Sequence, residues 1–237
     1  MKTPPILLLL FLSLASTLQA QPRRPPAGGQ IAVVVDERLS ALRTQPGFFN
    51  RFVQRVRRGR LIAVTGNKRT IGDVVFYRVR VTRRTQGWMQ REAFVLSTRP
   101  CDDRVLLELI LLSDDFDRVS RARIFLETFP RSSLRPQVLS LLAQASESVA
   151  IKLSHDAQRR FQSRELPQSV PESSYFLNYS GLDRYQRLRV SFIFDNRTRQ
   201  FHYDGAAWLE ILKRYPESDE AVLARKRLER LRFVRSR

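Results

Sequence analysis

Cysteine and histidine are nearly missing from this chain of 237 residues, which holds Cys101, His155 and His202 and no others. One cysteine excludes an internal disulfide framework and a cysteine-rich zinc module. No H-E-x-x-H, C-x-x-C, G-x-S-x-G or phosphate-loop pattern occurs, so metal-assisted hydrolysis, serine acylation and nucleotide binding lack their usual anchors. The expectation is a protein that is not an enzyme, with no cofactor, no metal and no catalytic residue. Acids are also scarce: 23 Asp and Glu face 42 Lys and Arg, for a formal net charge of +19. Lysine occurs only at Lys2, Lys68, Lys152, Lys213 and Lys226, so guanidinium groups carry the charge. Two explanations stand, a genome that favours arginine and selection for the fork-shaped pairing of guanidinium with carboxylate or phosphate. With 43% hydrophobic residues the chain can build cores, which excludes a disordered basic tail.

After residue 20 there is no apolar run of membrane-spanning length. Before it stand one cation at Lys2, an apolar stretch from Ile6 to Leu14 broken by Ser13, and small residues ending at Ala20. These are the three parts of a secretory signal peptide, the apolar stretch being too short to cross ~30 Å of hydrocarbon. Residues 1–20 are expected to be a leader, residues 21–30 a Pro/Gly linker, and the protein exported, periplasmic or secreted, with no membrane span after cleavage.

From Ile31 to about Leu96, short β-branched and aromatic runs are punctuated by Gly47, Gly59, Gly66, Gly72 and Gly87. Strands are predicted at 31–35, 52–56, 61–65, 74–82 and 87–89, with a loop at Asn67–Asp73 and Trp88 in the core. The segments Leu42-Arg43-Thr44-Gln45-Pro46-Gly47, Val56-Arg57-Arg58-Gly59-Arg60, Phe76-Tyr77-Arg78-Val79, Gly87-Trp88-Met89 and Ala93-Phe94-Val95 resemble, in order and spacing, a bacterial SH3 (SH3b) domain. Ala41 and Gln45 stand where that family usually has Asn and Gly. The resemblance implies a small SH3-like β-barrel over 31–98 and a binding module of exported proteins that recognises cell-wall peptides or glycans.

Charge supplies a separate argument. Residues 31–96 hold fourteen basic and four acidic side chains, a net +10, whereas residues 102–237 hold twenty-four and nineteen. A compact surface so charged attracts anionic polymers over a Debye length of ~8 Å at physiological salt. Arg43, Arg55, Arg57, Arg58, Arg78 and Arg80, with Tyr77 and Trp88, are the candidate ligand-binding residues. A solvated surface without a ligand is the competing reading.

After Pro100 the pattern turns helical. Helices are predicted from Asp102, with Asp102-Asp103 as its cap, from Phe116 to Thr128, and over 28 positions from Leu134 to Phe161, where Ser146 and Ser148 are weak points. A loop at Pro167 and Pro171, a short helix at 182–188, a β-hairpin over 190–203, with an extended loop pinned by aromatics as its alternative, and helices at 204–214 and 216–233 follow. Phe129-Pro130-Arg131-Ser132 and Tyr215-Pro216-Glu217-Ser218 echo one another, the proline being placed at the start of the second helix. These junctions resemble those of tetratricopeptide-like repeats, which implies an all-α helical-repeat-like domain over 101–237 that contacts a protein partner; a plain bundle is the alternative. The expected class is α+β. The expected function is a non-enzymatic exported adaptor that binds peptidoglycan or another anionic envelope polymer, or a peptide. The alternatives are a polyanion or nucleic-acid binder, which export disfavours, and a cell-wall hydrolase with an unrecognised site involving Cys101 or His155.

Overall fold

The computed structural model describes residues 28–162 and 171–235, with side chains up to Leu231. The expected leader, most of the linker and the loop at Pro167 lie outside the described residues. Seven strands form one antiparallel sheet: β1 (Gln30–Val34), β2 (Ala41–Arg43), β3 (Phe52–Arg55), β4 (Leu61–Ile71), β5 (Val74–Arg80), β6 (Gln86–Gln90) and β7 (Phe94–Leu96). Their spatial order is β3-β2-β6-β5-β4-β1-β7.

Alternation along the strands turns Ala32, Val34, Leu42, Ile62, Val64, Val79, Met89, Phe94 and Leu96 into one buried core. Leu42 and Phe94 come from opposite flanks of the ladder, so the sheet curls over its own inner face. It does not close. β3 and β7 remain edges, and the closed barrel expected from the sequence is corrected to an open, curled sheet. On the free side of β7 the Leu96 N–H is taken by the Asp102 carboxylate at 2.7 Å, an acceptor that blunts the edge in place of another strand.

Two other expectations change, and two strands, β2 and β7, were not predicted. The predicted loop at Asn67–Asp73 is mostly strand: β4 runs on to Ile71 past a register shift between Val64 and Lys68, and the chain reverses at Gly72 (φ +63°) and Asp73. The linker stops short of Gln30, which opens β1. Strands β2 and β7, three residues each, are too short to show a period.

The chain continues as α1 (Asp102–Leu111), α2 (Asp115–Thr128), α3 (Arg135–Gln162), α4 (Glu172–Leu177), α5 (Asp183–Gln186), the hairpin β8 (Phe192–Asp195) and β9 (Gln200–Tyr203), α6 (Ala206–Arg214) and α7 (Asp219–Arg235). The class is α+β. Helix α3 is unbroken, and the Ser146, Ser148 and Ser154 hydroxyls donate to the carbonyls of Leu142, Gln144 and Ala150 one turn earlier, so they are satisfied within the helix. Stacked Phe176 and Phe194, 4.7 Å apart, seat the hairpin, and Ser154 Oγ accepts the Phe201 N–H at 2.7 Å.

Both aromatic-proline junctions place the proline in the turn and not at the helix start, since α3 begins at Arg135 and α7 at Asp219. At the first, Phe129 is buried and Ser132 Oγ accepts from the Leu134 N–H and donates to Asp103. Buried Arg135 then connects the two echoes: it donates to the Leu126 carbonyl at 2.7 Å, to Glu210 at 3.2 Å and to the Tyr215 hydroxyl at 3.1 Å. Sheet and helices share a second core, in which Val33, Val35 and Val95, on the outer face of β1 and β7, meet Leu106, Ile110, Val119 and Ala122.

Candidate functional site

On the outer face at the other side of the sheet, Trp88 of β6 stands in register with Arg43 of β2 on one side and Arg78 of β5 on the other. All three are half-buried. Gly87 and Met89 point inward and are buried, so Met89 fills the core position expected for Trp88, and the indole lies outside. Gly87 has a packing reason: a Cβ there would collide with the Arg43 carbonyl and the Leu42 side chain. That close approach draws β2 against β6 and completes the row. Along β5 on the same face, Phe76 lies to one side of Arg78, covered by the edge of Phe48 at 5.5 Å, and Arg80 lies to the other, in register with Gln86. The Arg43 Nη1 donates to the Asn50 carbonyl at 2.7 Å and so holds the β2–β3 loop.

Arg55, Arg57 and Arg58 meet elsewhere, around a cleft of about 730 Å³ between the β3–β4 and β5–β6 turns, with Arg60, Gln54 and Thr82. No acidic residue lines it. Arg55 donates to the carbonyls of Glu37 and Arg38 at 2.8 and 2.5 Å, and Arg57 is exposed. Arg58 is engaged otherwise, in a two-pronged bond to Asp117 of α2 at 2.6 and 2.9 Å. Its charge is neutralised and its role is to fasten the sheet to the helices. Tyr77 faces inward, edge-on to Phe94 at 5.9 Å, and borders a separate hollow with Thr65, Leu96 and Arg99. The eight candidates are thus distributed over a row, a cleft and the opposite face. Arg60 is the residue the candidate set missed; its place on the Arg57-Arg58-Gly59-Arg60 turn was the available signal.

Beside the cleft lies a buried charge cluster. Asp36, 2% exposed, accepts from Arg38 at 2.7 Å and lies 3.5 Å from Arg121 of α2. Burial alone would push its carboxyl up, but the hydrogen bonds and charge of Arg38, with the charge of Arg121, hold it below the ordinary carboxylate value. The bond from Arg58 likewise lowers Asp117, against a smaller upward push from burial.

Cys101 is exposed, and the hollow it borders contains no histidine. His155 and His202 come together along a groove of about 450 Å³ between α3, β9 and α7. Within it Glu147 accepts from the Trp208 indole at 2.8 Å and pairs with Arg227, and Ser154 holds the hairpin. Among the described residues no group of three or more His, Cys, Asp or Glu is arranged to hold a metal, and no helix is long and apolar enough to cross a membrane. Asp102, expected as a helix cap, instead binds the Leu96 N–H and Arg99, while Cys101 occupies the cap position in a left-handed conformation (φ +63°). Comparison with protein-family models, curated proteins and solved structures finds no match.

Proposed function

We propose that this chain is an exported, non-enzymatic adaptor whose basic SH3-like sheet binds an anionic envelope polymer, such as peptidoglycan bearing free carboxylates, and whose helical part holds a protein partner. The observation that carries this reading is the cleft walled by Arg55, Arg57 and Arg60 with no acid in its lining. The Arg55 guanidinium, already positioned by the Glu37 and Arg38 carbonyls, loses little freedom when it pairs with a carboxylate. The Arg43–Trp88–Arg78 row adds a flat ring between two cations on the adjoining strands. In favour of the SH3-like assignment stands the continuous ladder β7-β1-β4-β5-β6, with a single 3-10 turn at Arg91–Ala93 leading into β7 and the β2–β3 hairpin laid beside β6. In favour of the tetratricopeptide-like assignment stands the packing of the two echoed pairs, α2–α3 and α6–α7, against each other through α3 and α6.

The test is co-sedimentation of the chain from Gln21 onward with purified cell-wall sacculi at low and physiological salt. Binding that weakens with salt is expected. Absence of binding at low salt, or tighter length-dependent binding to duplex DNA, overturns the polymer assignment.

A further inference from the structure

The β2–β3 loop and the start of β3 present Phe48, Phe49, Phe52 and Val53 to solvent, 45, 103, 51 and 41% exposed. One exposed apolar side chain is ordinary on a folded protein; four within six positions form a patch. Core packing does not require them, since the sheet's inner core is built without any of the four.

Nor is the loop slack. Arg43 donates to the Asn50 carbonyl, Asn50 Nδ2 donates to the Pro46 carbonyl at 2.8 Å, and Phe48 rests edge-on against Phe76. The braces lie on either side of Phe49 and hold its ring outward. The surroundings are basic: Arg51 lies within the finger, and Arg69 is exposed on β4 in register with Phe76, which Phe48 covers. Asp73 on the neighbouring turn is the one acid of residues 41–80.

We propose that this finger docks the protein onto an anionic lipid surface, with Phe49 and Phe52 entering the acyl boundary and Arg51 and Arg69 meeting lipid phosphates. The rings project into solvent, and none of the clefts described above includes them. A rigid partner would have to supply a groove of matching shape, whereas a bilayer deforms around whatever enters it. Aromatic rings ringed by cations match an interface with an apolar interior and a negative surface. The inference is independent of the polymer-binding cleft at the β3–β4 and β5–β6 turns.

The test uses the chain from Gln21 onward, which includes every described element, and phosphatidylcholine vesicles with and without phosphatidylglycerol. Sedimentation with the anionic vesicles alone is expected. Phe49→Ala with Phe52→Ala should weaken it by about tenfold or more, the loss of burial of two rings, with the unfolding temperature unchanged. Phe49→Trp should be quenched by lipids brominated on the acyl chain. Equal binding to both vesicle types, undiminished binding of the double alanine variant, or an unquenched Trp at position 49 overturns the proposal. So does loss of sacculus binding in the double variant while vesicles are ignored, which would assign the finger to the polymer. If vesicle binding fails and sacculus binding survives the double variant, the adaptor reading stands without the lipid contact.

Discussion

Arg121 of α2 donates its Nε–H to the Val35 carbonyl at 3.1 Å, joining residues 86 positions apart across the boundary between sheet and helices. The same guanidinium bonds the Ser113 hydroxyl and faces Asp36, and Arg58–Asp117 lies beside it. Two flanking segments therefore share one buried polar lattice as well as one apolar core. Arg121→Ala leaves Asp36, 2% exposed, with less of its compensation, and a loss of about 3 kcal/mol is expected. Urea unfolding followed by far-ultraviolet dichroism and by tryptophan emission should give one coincident transition in the parent protein, because Trp88 lies in the sheet and Trp208 in the helical part. Separate transitions would show that the lattice does not couple the two segments.

Acid should weaken the same boundary. Asp36 and Asp117 both titrate below their ordinary value in the folded chain, so the unfolded chain takes up protons first as pH falls. Their contribution is fully present above the unfolded carboxylate value of about 3.9 and is lost as pH drops through the lower folded values. Stability measured from pH 6 down to pH 2 should therefore fall most steeply below about pH 4. Asp117→Asn should flatten that fall. An equally steep profile in the variant would remove Asp117 from the account.

Neighbouring arginines on one turn should respond differently to substitution. Arg55→Gln with Arg57→Gln is expected to leave the unfolding temperature within error and to reduce both sacculus binding and its salt dependence. Arg58→Gln, by contrast, should lower stability and leave binding nearly intact, because its charge is already matched by Asp117. Equal effects of the two replacements on binding would mean that Arg58 exchanges partners when the ligand arrives.

Regular elements were legible where apolar residues repeat for long enough. Helix α3 occupies 28 residues, Arg135–Gln162, within one position at each end of the apolar stripe Leu134–Phe161, and the β8–β9 hairpin occurs where Phe192, Phe194, Phe201 and Tyr203 alternate. The same reasoning failed at β2 and β7, which owe their strand character to neighbours, and at Asn67–Ile71, where exposed polar residues continue a strand that pairing with β5 holds in place.

Residue type, segment and approximate face were decided by the chain itself: the concentration of positive charge between residues 31 and 96, and the alternation that sets Arg78 and Arg80 on one side of β5. Which of those arginines stay open to a ligand was decided only by the tertiary structure. A period of two assigns a side chain to a face but does not reveal what covers that face. Helices α1 and α2 cover the outer face at β1 and β7 and neutralise Arg58 through Asp117, while the outer face at β2, β5 and β6 keeps Trp88 between two cations. Burial and ion pairing depend on contacts far apart in sequence, such as Arg121 with Val35, and these exist only once the sheet has curled and the helices have packed against it.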